Sequence, residues 1–300
     1  LSGMRWGENV ILDRSKEVDR VVPFDYKQNY FIKFKRFKSI AKKTNYDYVF
    51  IPFDDESGFL NQLIVRIAFS KSLVICHSPR KPYELRSIIR ILLEKLFGGR
   101  QLIVPLMRGR HEIDLNLDLL EYLNDAPIVR NHKTSLKFNK SALSKFGLNK
   151  NYIVFQIAAR HGLPTPKIWS TNNFLSLSKE IAKTWPNLQI VLVGNKGDMK
   201  SLKSNLLFNE DNVKNLVGKT NIDQLCNILI KSKAILANDS GIMHIANALE
   251  CNLIALMGPS DYTRTRPLGK YSKILYSKND ALAKMYGWKF DEDQMAELYP

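Results

Sequence analysis

The sequence predicts an α/β fold made of two lobes, each built on an open parallel sheet. Three observations lead there. Short apolar runs alternate with amphipathic stretches of helical period along the 300 residues. Residues 234–257 spell a strand, a turn, a helix and a second strand, and so short a crossover between parallel strands belongs to an open α/β sheet. The 45% hydrophobic content can fill two cores, and the length suits two domains of about 150 residues each.

In the first half, a basic helix is expected from about Phe31 to Lys43, a strand over Val49 to Phe53, an apolar helix over Leu60 to Phe69 and a strand over Leu73 to Cys76. Asp54 and Asp55 end the first of these strands, at the carboxyl edge where ligands of such a sheet bind; the plain alternative is strand-end turn residues. Arg80, Lys81, Arg86, Arg90 and Lys95, with Arg100, Arg108 and Arg110, form the densest basic stretch. They alternate with Leu85, Ile88, Ile89, Leu92 and Leu93 at helical spacing, as in a helix that lies on a membrane or one that merely covers a core. Periodicity breaks between Asp125 and Lys150, where Pro127, Asn131 and Asn139 fall. The lobes are therefore drawn as 1–135 and 136–300, the second ending in a helical tail.

The second lobe opens with a buried-strand run from Tyr152 to Ala158 and a loop from Ala159 to Ser170. A helix over Asn172 to Thr184, a strand over Gln189 to Val193 and a loop at Gly194 to Asp198 follow. Asp198 sits at the ligand edge of such a sheet, able to accept from ribose hydroxyls or to cap the next helix. Thr220 is read as the cap of a helix over Ile222 to Ile230. The strand Ala234 to Ala237 then runs into Asn238, Asp239, Ser240 and Gly241, residues that favour turns and helix starts.

The first NH groups of a helix lack intrahelical partners and lie at its positive end, so Ser240, Gly241, Ile242 and Met243 can present donors to a phosphate or carboxylate. Gly241 lets a ligand come close. Asp239 would repel phosphate, which suits it to sugar or ribose hydroxyls; the bland alternative for Asp239 or Ser240 is an N-cap. His244, one turn in, can donate a hydrogen bond or pack in the core, and nothing near it orients it as a base. Arg264 and Arg266, past the Gly258-Pro259 turn, can screen a diphosphate or stand exposed in a loop.

The net charge of +16 is spread along the chain and attracts polyanions: nucleic acid, anionic lipid or a phosphorylated glycolipid. It is not organised with stacking aromatics or a recognised module, which argues against nucleic acid. Cys76, Cys226 and Cys251 fit reduced thiols better than disulfides or zinc, and no metal cluster is visible. No apolar stretch approaches the ~20 residues of a membrane span, and the start has no signal-peptide core, so a cytoplasmic protein is expected.

Asn238-Asp239-Ser240-Gly241, His244, Ala246, Ala248, Leu249, Gly258-Pro259-Ser260-Asp261, Arg264, Thr265 and Pro267 closely resemble, in order and spacing, the donor-binding signature of the heptosyltransferases. These are the family 9 glycosyltransferases that build the inner core of bacterial lipopolysaccharide. The resemblance implies a GT-B-type fold with an interlobe cleft and inverting, metal-independent transfer of heptose from ADP-heptose to a phosphorylated glycolipid, with no cofactor. It also implies a peripheral place on the cytoplasmic face of the inner membrane.

Lys167 matches the family's loop lysine, which would neutralise the departing pyrophosphate. Family members open with a strand running into a Gly-Asp turn whose Asp is the expected base. This chain has only a faint echo at Gly7-Glu8, so its first lobe is read as lacking that beginning; Glu8, Asp54 and Asp55 are the weak catalytic candidates, and the resemblance implies that the two aspartates face the interlobe cleft, where they could contact acceptor hydroxyls. Two alternatives stand beside this reading: a homologue that binds a nucleotide sugar with little or no turnover, and a basic nucleic-acid-binding protein.

Overall fold

The computed structural model describes residues 2–3, 18–19, 22–24, 28–51, 59–78, 88, 92, 96, 99–107, 109–133, 136–158, 168–198, 212–258 and 260–276. The chain divides into two compact units, one of 1–8 and 22–131 and one of 9–21 and 132–300. Arg130 bonds to Asp114, Asp118 and Glu121 within the first unit, whereas Lys133 pairs with Glu250 within the second at 3.4 Å.

The first unit carries β1 (Ser2–Gly3) beside β2 (Pro23–Phe24), then α1 (Tyr30–Lys43), β3 (Tyr48–Ile51), α2 (Phe59–Ala68), β4 (Leu73–His77), β5 (Gln101–Val104) and α3 (Glu112–Asn124). Strands β3, β4 and β5 form a parallel sheet in that order. Two apolar clusters hold this unit, one reached by Val49 of β3 and the other by Leu73 and Ile75 of β4. Phe37, Phe69 and their neighbours from α1 and α2 form one, and Ile75, Val104 and Leu119 the other. At the carboxyl end of β4, buried His77 donates from Nε2 to the Leu115 carbonyl at 2.7 Å, since a carbonyl can only accept.

The second unit carries β6 (Tyr152–Gln156), α4 (Thr171–Thr184), β7 (Gln189–Val193), β8 (Val213–Asn215), α5 (Ile222–Lys231), β9 (Ile235–Asn238), α6 (Gly241–Ala248), β10 (Leu253–Met257), the short α7 (Tyr262–Thr265) and β11 (Ser272–Tyr276). Its six strands are all parallel, in the order β11-β10-β9-β6-β7-β8. Strands covered on both faces must be apolar on both. One set, with Val154, Val191, Ile235 and Ala255, packs under α5 and α6; the other, with Phe155, Ile190 and Leu192, packs under α4.

The chain runs from β6 outward through β7 to β8 and returns to lay β9 on the opposite side of β6. The β6–β9 seam is therefore the topological switch point, outside whose carboxyl edge ligands of such sheets bind. Asn221, not Thr220, caps α5: its side chain accepts from the Gln224 NH at 2.9 Å while Gln224 reaches back to the Asn221 NH. Asn at that position completes a reciprocal capping box, which the residue before the cap cannot. Among the described residues, no helix is long and apolar enough to cross a membrane.

Candidate functional site

Strand β9 delivers the Asn238-Asp239-Ser240-Gly241 turn to the carboxyl edge of the sheet, beside the switch point. Asn238 is wholly buried and serves as the clasp of that seam. Its NH donates to Gln156 Oε1 at 3.0 Å, its Nδ2 to the Gln156 carbonyl at 3.1 Å, and its Oδ1 accepts from the Trp169 NH at 2.9 Å. With the three bonds filled, this side chain lies beneath the turn and holds β6, β9 and the Trp169 loop in register.

Asp239 is also buried, and its Oδ2 accepts from the Ser260 hydroxyl, which the turn after β10 supplies. Its NH donates to the Leu256 carbonyl at 3.1 Å, extending the β9–β10 pairing to the turn itself. Neither Asp239 nor Ser240 caps α6 with its side chain. Ser240 occupies the cap position, but its Oγ is buried without a hydrogen-bond partner among the described residues.

The amides of Ser240, Gly241, Ile242 and Met243 likewise meet no acceptor among the described residues. A helix start whose cap side chain is turned aside is an open donor set at the positive end of the dipole. Gly241 stands exposed, and a Cβ added to it would have no atom within 4 Å. Met243 and Ile242 send their side chains the other way, into the core under α6, so they bring only backbone to the site. His244 is exposed.

Asp198 lies at the carboxyl end of β7, on the same sheet edge, but it is buried and turned onto its own loop, with Oδ2 accepting from the Asn195 NH at 2.8 Å. Arg264 is buried in α7 rather than standing in an exposed loop, and Arg266 donates to the Thr263 carbonyl at 2.9 Å. Glu8, Asp54, Asp55 and Lys167 lie outside the described residues. So do Arg80, Lys81, Arg86, Arg90, Lys95 and Arg108; of that basic stretch, Arg100 is described and exposed, and Arg110 is described and binds Asp118 at 2.9 Å.

Sequence reasoning missed Ser260 and Gln156 as partners of the turn. Ser260 sits in the Gly-Pro-Ser-Asp run that the motif includes, which was the available signal. A separate hollow of about 650 Å³ lies along the sheet face shared with α4, walled by Ile153, Phe155, Trp185, Leu236, Leu256 and Leu275. Its walls are apolar side chains over the strands, so it cannot satisfy a diphosphate.

Residues 94–287 match the family model of glycosyltransferase family 9, described as heptosyltransferase. Among curated proteins, the chain is similar to lipopolysaccharide heptosyltransferase 2 of Salmonella typhimurium, 34% identical over 113 residues; the match spans 36% of this chain and only 32% of that relative. Among solved structures, it resembles the Escherichia coli ADP-heptose lps heptosyltransferase II, with a TM-score of 0.61 and 22% identity over 91% of this chain and 79% of that one. It also resembles the E. coli heptosyltransferase WaaC with ADP, with a TM-score of 0.60 and 18% identity over 93% and 84% of the two chains. The two solved relatives share the fold of α/β lobes with parallel sheets.

Proposed function

The chain belongs to glycosyltransferase family 9, the heptosyltransferases, and on that premise we propose that it moves a heptose from ADP-heptose, with inversion, onto a sugar hydroxyl of the lipopolysaccharide inner core or a related lipid-linked glycan. One observation carries this reading: the amides of Ser240, Gly241, Ile242 and Met243 and the Ser240 Oγ, none with a partner among the described residues, lie where α6 begins, beside the switch point of the second sheet. A diphosphate bound at that helix start would supply acceptors for its open amides. The donor class is further supported by the two solved relatives, one described by ADP-heptose and the other holding ADP.

Inversion is a single in-line displacement. The acceptor oxygen bonds to the anomeric carbon as the carbon–oxygen bond to the β-phosphate breaks, a base takes the hydroxyl proton, and ADP leaves with added negative charge. The α6 terminus answers the last need, because its positive partial charge opposes the charge that grows on the leaving phosphate. Lys167 adds a second cation in this scheme. Asp239, fixed by Ser260, accepts from donor hydroxyls beside the diphosphate. The base is assigned to the first unit, with Glu8, Asp54 and Asp55 as its candidates. We place the enzyme peripherally on the cytoplasmic face of the inner membrane, where a soluble donor meets a lipid-anchored acceptor.

The test is Asp239→Asn, whose amide oxygen still accepts the Ser260 hydroxyl. Calorimetric titration with ADP-heptose should show affinity falling roughly tenfold or more, about 1.4 kcal/mol, while the thermal melt stays put. Unchanged affinity in the folded variant removes the turn from the donor site. Tight donor binding without transfer to a heptose-deficient lipopolysaccharide acceptor removes the transferase activity instead.

A further inference from the structure

Helix α1 reads YFIKFKRFKSIAKK and contains six basic residues and no acidic one. Its inner side is accounted for: Phe37, Ile40 and Ala41 pack against Val49, Ile64, Val65, Ala68 and Phe69. Its outer side is unusual. Phe31, Lys35, Lys38 and Lys42 follow one another at the spacing of a single stripe, flanked by Ile32, Ser39 and Lys43, all exposed. Phe31 is 65% exposed and Ile32 45%, at the same end of the helix.

Solvated helix faces normally mix charges of both signs, because opposite charges three and four residues apart support the helix. Here the charge is of one sign only, although like charges at such spacing repel. Lys42 and Lys43 are repaid by the carboxyl end of the helix dipole, but Lys35 and Lys38 are not. Lys35 instead lies over the Phe31 ring, 4.4 Å from its centroid, and Lys38 near the Phe34 ring at 5.5 Å. These contacts set the two ammonium groups over neighbouring aromatic faces, on exposed lysines that carry no carboxylate of their own helix to pair with.

We propose that α1 is the surface by which this protein lies on an anionic phospholipid bilayer: Phe31 and Ile32 enter the boundary between headgroups and acyl chains, while Lys35, Lys38, Lys42 and Lys43 meet lipid phosphates. The two features divide the work. Lysines supply long-range attraction to a negative leaflet, and the apolar end supplies a contact that salt does not screen. A nucleic-acid surface would use the lysines but leaves the exposed Ile32 without a role. The proposal deepens the peripheral placement given above and rests on it.

The experiment is co-sedimentation of the full chain with vesicles of phosphatidylcholine alone and with phosphatidylglycerol added. The parent should bind only the anionic vesicles. Each lysine near such a surface contributes roughly fivefold, so Lys35→Gln/Lys38→Gln/Lys42→Gln should weaken binding on the order of a hundredfold. Phe31→Ser/Ile32→Ser should abolish whatever binding persists at high salt. A Phe31→Trp variant should show fluorescence quenching by brominated lipid beyond that of the parent.

All these positions are exposed, and both the thermal melt and ADP-heptose affinity should match the parent. Failure of the parent to bind anionic vesicles, or equal binding by the glutamine variant, overturns the proposal. So does single-stranded RNA binding that the glutamine variant loses while vesicles bind neither protein. Vesicle binding as described with no ADP-heptose affinity leaves α1 standing and sinks the donor reading.

Discussion

Gly241 separates the demands of folding from those of binding. Its φ is not in the left-handed region, and nothing lies within 4 Å of where a Cβ would stand, so neither backbone nor packing requires glycine there. Gly241→Ala should therefore leave stability unchanged or raise it by up to about 1 kcal/mol, since alanine loses less entropy in a helix. If the diphosphate seats on this turn, the added methyl occupies its approach, and ADP-heptose affinity should fall at least tenfold in the same protein. Equal affinity would show that the open space is not the ligand's.

The sequence pointed to this turn because Asn, Asp, Ser and Gly each have a local preference for helix starts. It could not show that Ser240 turns its hydroxyl away from its own helix, or that Asn238 is buried. Asn238 bonds to Gln156 of β6, and Asp239 to Ser260 of the turn after β10. Local propensity has no access to partners that distant.

Helices were more legible than strands at the scale of elements, because a long periodic pattern averages over its exceptions. The expected helices at Phe31 to Lys43, Leu60 to Phe69, Asn172 to Thr184 and Ile222 to Ile230 all lie within a residue or so of α1, α2, α4 and α5. Strands β1, β2, β5, β8 and β11 were not anticipated. β8 is three residues long, and β11 is an edge strand that opens on Ser272 and Lys273, with Leu275 and Tyr276 exposed. Such short or half-solvated segments carry too few apolar residues to stand out from loop.

Caps shift by one residue just as easily. The capping box assigns α5 to Asn221, so Asn221→Ala should cost about 1 kcal/mol of unfolding free energy, whereas Thr220→Ala should cost much less. Urea titration of both variants checks this, and equal losses would return the cap to Thr220.

Two weak acids of the second unit, Tyr152 and the partly buried Cys251, make its stability sensitive to alkali. Burial pushes the Cys251 thiol up to about 11, and burial followed by the charge of Cys251 pushes the Tyr152 hydroxyl up to about 12. Tyr152 donates to the Ile228 carbonyl at 2.7 Å, which ties β6 to α5. Both groups ionise more readily in the unfolded chain, so their contribution is intact below about pH 9 and is lost as pH rises toward 12. The urea midpoint should drop across that window. Tyr152→Phe should flatten the fall above pH 10 while lowering stability at neutral pH through the lost hydrogen bond. A parallel fall in both proteins would contradict this assignment.

Because every neighbouring pair in the six-stranded sheet is parallel, no strand of it can zip to the next through a hairpin. The seam beneath the ANDSG turn is the costliest to close, since Val154 must find Ile235 across the intervening β7, β8 and α5. Its contact order is high, which makes refolding slow. A ribosome must have released both halves of the second unit before the proposed donor corner can form, so nascent or proteolysed fragments ending before β9 are expected, on that proposal, to be blind to nucleotide.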